Sequence, residues 1–143
     1  MTLQFLIGGI VSVISIMIHA LTTIGVVGIA RSWGLRHTAR PKLDLMAVMV
    51  GTAVALMVAH TLEVFLWALA YAFVGAAPAG SDFLYFAFVN YTTLGYGDII
   101  PYSNLARVLA SVEVFFGVML LLFGVSELLE YARERRQDRP HKN

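Results

Sequence analysis

Three long apolar stretches, residues 3–30, 45–74 and 105–129, leave this chain few ways to fold. Each exceeds the roughly 20 residues that a helix needs to cross the hydrocarbon core of a bilayer. A chain that is 59% hydrophobic and 13% charged, with a mean hydropathy of +0.77, is too apolar for an ordinary soluble domain. Backbone polar groups inside a bilayer must be satisfied internally, so all three stretches are expected to be helices. A fourth apolar piece, residues 83–91, is too short to span.

The charges orient the helices. Arg31, Arg36, Arg40 and Lys42 lie between the first and second stretches, Arg133, Arg135, Arg136, Arg139 and Lys142 follow the third, and Arg107 stands alone. Basic loops stay cytoplasmic, which puts the N-terminus and residues 75–104 outside and the C-terminus in the cytoplasm of a multi-pass cell-membrane protein. The basic tail is expected to fix topology, with attraction to anionic lipid as the alternative. The first stretch lacks a basic leader and is too long for a signal peptide, so it is expected to remain as a helix. Cysteine is absent, which excludes disulfides and thiolate metal sites.

On the first helix Gly8, Ser12, Ser15, His19 and Thr22 recur at steps of three and four, a small and weakly polar stripe suited to packing on protein. His19 is expected to be a hydrogen-bonded packing residue, and the helix to sit peripherally. Arg40, Pro41 and Lys42 break the chain before the second helix, which Asp44 is expected to cap. After residue 74 a Gly/Ala/Pro turn leads to Ser81 and Asp82, an N-cap for the short helix 83–91. Ser103 and Asn104 cap the third long helix. A half-length helix followed by Gly-rich backbone is tolerated at membrane depth only where protein buries it or it lines a watery path, so residues 83–101 read as a re-entrant loop.

The loop carries Thr92-Thr93-Leu94-Gly95-Tyr96-Gly97-Asp98. With the half-helix before it and a full span on each side, this segment resembles the pore module of potassium channels, most closely the small bacterial ones with two spans around a pore loop. The resemblance covers roughly residues 45–130. It implies an all-α membrane protein of three transmembrane helices plus a re-entrant pore helix and selectivity-filter loop, assembled as a four-fold tetramer, because one loop supplies a quarter of the ring. It divides the chain into an extra helix and basic loop (1–43), a pore module (44–132) and a basic tail (133–143).

In that family main-chain carbonyls replace the hydration shell of K+, which implies ion sites at Thr93, Leu94, Gly95 and Tyr96 within the filter Thr92 to Gly97. Successive carbonyls face one way when the backbone alternates between right- and left-handed conformations, which Gly95 and Gly97 adopt cheaply. Thr93 offers a hydroxyl at the inner end; Leu94 and Tyr96 are expected to pack outward against the pore helix. Leu94 departs from the usual Val or Ile. The C-terminus of the pore helix, near Tyr91, favours a cation in the cavity.

Matched position by position, Tyr85 stands where many relatives have a Trp bonded to the residue matching Asp98, which implies a Tyr85–Asp98 hydrogen bond bracing the outer filter. Val89 replaces the carboxylate that some relatives keep behind the filter. At about 1.5 Å of rise per residue, Glu63 and Glu113 reach the depth of the pore helix, where either is a candidate to support Asn90 or Tyr91. His60, Glu63, Trp67 and Tyr71 share one face of the second helix. His60 is a candidate pH sensor or structural hydrogen-bonder, and His60-x-x-Glu63 has ligand-like spacing without a second such pair. The match also implies lipid contact at Arg107, a hinge at Gly117, cavity-lining Val118, Leu121 and Val125, and a hydrophobic constriction at Leu129.

A potassium-selective channel is therefore expected. The alternatives are a weakly selective cation pore and a non-conducting regulatory subunit. An intramembrane enzyme built on His60, Glu63 and Glu113 would leave residues 92–98 unexplained, so no enzymatic activity is expected. Nor is any cofactor beyond permeant K+, or any nucleic-acid partner. The absence of an Arg-rich span and of nucleotide or calcium modules argues against strong voltage gating and cytosolic ligand control.

Overall fold

A computed structural model describes residues 2–34 and 41–137, and every regular element among them is helical. In chain order these are α1 (Thr2–Gly34), α2 (Pro41–Val74), α3 (Phe83–Tyr91) and α4 (Asn104–Gln137). Three of them contain segments long and apolar enough to cross a membrane, Phe5–Ala30, Leu43–Val74 and Asn104–Ser126. The protein is an all-α membrane protein.

Local chemistry sets the helix ends. Pro41 opens α2, where its missing N–H costs nothing. Asp44 therefore lies inside the first turn and is not the N-cap; there its charge still suits the positive end of the helix. At the other end Gly75 turns left-handed with φ +62°. Its N–H reaches the Ala72 carbonyl at 3.4 Å while that of Ala76 reaches Tyr71 at 3.0 Å, the paired bonds of a Schellman stop. Asp82 caps α3, its carboxylate accepting from the amides of Leu84 and Tyr85 at 3.0 Å each. Ser103 caps α4 by accepting from Ala106 N–H at 3.1 Å.

The short helix α3 is wedged between α2 and α4. Their shared core consists of Val64, Trp67 and Tyr71 from α2, Phe86, Ala87 and Tyr91 from α3, and Ala106, Leu109 and Ala110 from α4. Phe86 meets the Tyr71 ring edge-on at 4.9 Å, a favoured aromatic geometry. Tyr102 N–H donates to the Ala76 carbonyl at 2.7 Å, tying together the two ends of the re-entrant segment.

Helix α1 is more than peripheral. It packs on both α2 and α4, burying Gly8, Ser12, Ser15 and His19 of the predicted stripe. A Cβ on Gly8 would stand 2.8 Å from Leu109 Cδ1, so glycine permits this approach. The opposite face leaves Leu6, Ile10, Val13 and Met17 exposed, as a lipid-facing surface requires.

Candidate ion-conduction site

Residues 92–98 leave the C-terminus of α3 as a non-helical strand of backbone whose conformation alternates. Thr93, Gly95 and Gly97 have φ of +61°, +55° and +75°, every second position. Glycine accepts this at little cost. Thr93 does not: a β-branched residue at positive φ is strained, and no local sequence signal marks it.

The turn into this strand is held by amides. Thr93 N–H donates to the Asn90 carbonyl at 2.9 Å, and Leu94 N–H to Val89 at 2.9 Å. At the outer end the Tyr85 hydroxyl donates to Asp98 Oδ2 at 2.6 Å, the pair that the motif match implied. That bond holds the Asp98 carboxyl below the usual carboxylate range. It pushes the Tyr85 phenol up to about 12.

A buried polar layer lies behind the strand. The Tyr91 hydroxyl, from α3, donates to Glu63 Oε2 on α2. His60 Nδ1 lies 2.8 Å from that hydroxyl and 3.0 Å from the same carboxylate oxygen. Glu113, on α4, accepts from Tyr71 of α2 and makes no hydrogen bond to the pore helix among the described residues. Glu63 and Glu113 are fully buried. Of the two candidate supports, only Glu63 takes up Tyr91. Asn90 is half-buried, its side-chain nitrogen without a hydrogen-bond partner among the described residues.

Elsewhere the geometry separates the expected residues. Gly117 is buried where α4 crosses the end of α3; a Cβ there would lie 3.2 Å from both the Tyr91 ring and its carbonyl oxygen. Val118, Leu121, Val125 and Leu129 lie on α4 with side chains exposed in the single chain. Arg107 is exposed in the first turn of α4. Leu94 and Tyr96, expected to turn outward against the pore helix, are 54% and 66% exposed in the single chain. The backbone turns them away from the core of their own subunit.

His19 was the residue most underrated by sequence. It is buried, its ring centroid 5.4 Å from that of His60 and its Nδ1 3.7 Å from Glu63 Oε1. Its membership of the α1 stripe marked it as protein-facing, but no periodicity names the partner across a helix interface.

Comparison with known proteins places these features in one family. A profile described as "Ion channel" matches residues 59–134, more than half of the chain, from mid-α2 through most of α4. Among curated proteins, the two pore potassium channel a of Oryza sativa subsp. japonica is 38% identical over 56 residues. The two-pore potassium channel 1 of Arabidopsis thaliana is 41% identical over a stretch of the same length. These stretches cover 39% of this chain but only 16% and 15% of the relatives, so the chain matches a small part of each. No solved structure gave a significant match. The profile match takes in the second half of the second span, the half-helix, the alternating strand and the third span together, and the chain belongs to the ion-channel family.

Proposed function

We propose that the chain is one subunit of a homotetrameric, potassium-selective channel in the cell membrane, conducting K+ passively between its Thr92 to Gly97 strands. The observation that carries this reading is the strict alternation of positive φ at Thr93, Gly95 and Gly97. Such alternation turns successive carbonyls to one side, and a ring of four such strands replaces the hydration shell of a K+ ion. The matched segments of relatives named as potassium channels support the same ion.

In this reading residues 44–132 form the pore module, with the N-terminus outside and the basic tail in the cytoplasm. The Tyr85–Asp98 bond braces the outer filter, and Glu63, through Tyr91, braces the inner end; Glu113 steadies α2 against α4 through Tyr71. The exposed Val118, Leu121 and Val125 face the cavity, and Leu129 closes it by dewetting. Gly117 serves close approach to Tyr91. Arg107 meets anionic lipid headgroups, and His60 senses protons.

The test is flux from the purified protein in liposomes, with K+ and Na+ gradients compared and Ba2+ as blocker. K+ flux that Ba2+ stops, with little Na+ flux, is expected. Equal K+ and Na+ flux would establish a weakly selective pore, and no flux a regulatory subunit; either result refutes the proposal.

A further inference from the structure

His19 joins His60 and Glu63, which the proposed filter support already uses, in a cluster of three possible metal ligands. Each offers a ligand atom, and the three atoms lie within 4.8 Å of one another. His60 Nδ1 is already held by the Tyr91 hydroxyl at 2.8 Å and by Glu63 Oε2 at 3.0 Å, whereas His19 and the other oxygen of Glu63 are not so held. Neither ring nitrogen of His19 has a hydrogen-bond partner among the described residues, and neither does Glu63 Oε1, though both side chains are at least nine-tenths buried. A buried polar atom without a partner is destabilising. Such atoms in pairs call for a reason.

We propose that His19, His60 and Glu63 bind a divalent transition metal of the zinc class, clasping α1 to the pore module. Two imidazoles and one carboxylate match the open three-ligand zinc sites, in which a fourth position takes water. Tetrahedral coordination with metal–ligand distances of about 2.0–2.2 Å requires ligand atoms some 3.3 Å apart. Glu63 Oε1 and His19 Nδ1, at 3.7 Å, need to close by only a few tenths of an ångström. His19 makes no side-chain hydrogen bond that would resist this.

The surroundings fit. Glu63 Oε1 is free to coordinate while Oε2 stays with the Tyr91 hydroxyl, the outer hydrogen bond that typically orients a ligating carboxylate. Among the described residues the basic groups beside Glu63 are the two histidines, so a dication would supply the countercharge. The cluster is not sealed either. His19, Thr23, Phe116 and Leu120 line a groove of about 360 Å³ between α1 and α4 that leads to it.

The site goes beyond the conduction proposal, and its test needs no ion flux. The full chain is purified in detergent with His37 and His141, the remaining histidines of the sequence, changed to Asn. Co2+ is titrated while the visible d–d band of four-coordinate Co2+ is followed, and Zn2+ is then added in competition. The expected result is one Co2+ per chain, displaced by Zn2+. Binding should disappear in His19→Ala and in Glu63→Gln, and should weaken by about 10–100-fold in Tyr91→Phe, which removes only the outer bond. Elution volume and helical circular dichroism report whether each variant folds. If Glu63→Gln does not fold, His19→Ala decides alone, since the His19 ring nitrogens make no hydrogen bond among the described residues. Absence of the band in the parent, or a band unchanged in His19→Ala, overturns the site and leaves the conduction proposal untouched.

Discussion

Tyr91→Phe isolates the link between the pore helix and the buried carboxylate. The substitution removes one oxygen and nearly preserves shape, so no sizeable cavity adds to its cost. The lost bond runs from a buried phenol to Glu63, which is fully buried. Hydrogen bonds to charged groups contribute about 1.5–3 kcal/mol. His60 Nδ1 remains 3.0 Å from the same oxygen, so part of the desolvated acceptor stays satisfied. The expected cost falls in the lower part of that range, about 1.5–2 kcal/mol, or roughly 10- to 30-fold in the equilibrium between a seated and an unseated pore helix. For a chain of this size that corresponds to a midpoint lowered by about 3–8 °C, measured by circular dichroism in detergent. Tyr85→Phe is the internal reference. It also deletes a tyrosine–carboxylate bond, but an exposed one that solvent replaces, so it should lower the midpoint much less. If Tyr91→Phe melts no lower than Tyr85→Phe, the buried layer does not hold the pore helix.

The exposed bond should matter for conduction rather than stability: Tyr85→Phe should speed the decay of K+ flux during sustained opening, and an unchanged decay refutes the brace. The brace also has a defined pH window. With Asp98 depressed, its contribution is present above the ordinary carboxylate range and fades as pH falls through the depressed value. With Tyr85 raised to about 12, the contribution is full below the ordinary tyrosine value and fades as pH rises through about 12. Decay should therefore be flat between external pH of about 5 and 9; a midpoint inside that window would place its origin elsewhere. Gly117→Ala should gain about 1 kcal/mol of helix propensity yet lose about 1–3 kcal/mol to overpacking against Tyr91. Thermal stability should then hold or fall, whereas a gain would mean that flexibility is what glycine supplies there. Gly95→Ala, at φ +55°, should cost about 1–2 kcal/mol of backbone strain and abolish selective flux; retained selectivity would show that the alternation is dispensable. Replacing K+ by a large organic cation should lower the midpoint, because an ion bound only by the folded assembly at 100 times its Kd contributes about 2.7 kcal/mol. A midpoint indifferent to K+ counts against ion sites in the strand.

The elements were legible because each rests on local physics. Spans expected at 3–30, 45–74 and 105–129 lie within the helices observed, and α3 occupies the expected Phe83–Tyr91. Helix α2 starts earlier than expected because Pro41 can open a helix, whereas α4 continues past residue 129 into the Glu130 to Arg136 region as expected. Contacts between elements were harder to read. Equal depth made Glu63 and Glu113 equivalent candidates, but depth does not specify rotation about the axis; rotation gives Tyr91 to Glu63 and Tyr71 to Glu113. The same gap hid His19, whose partners depend on how α1 crosses α2. Thr93 was missed for a different reason. Its branched side chain argues against positive φ, and only the hydrogen bonds at the end of α3 override that preference.

That override bears on why the strand is only half supported by its own chain. A residue held in a sparsely populated backbone region costs about 1–3 kcal/mol and persists only where its surroundings over-determine it. Behind the strand this chain supplies carbonyls at Val89 and Asn90, the Tyr85 bond at Asp98, and Tyr91 seated on Glu63. In front it supplies nothing: residues 92–98 are exposed, with Leu94 and Tyr96 uncovered despite their bulk. The α4 residues Val118, Leu121 and Val125 are exposed as well. In the proposed tetramer both deficits have one remedy. Neighbouring copies cover the apolar side chains, and the ion satisfies the carbonyls that the alternation leaves without partners. In that tetramer assembly and ion binding would offset the strain at Thr93.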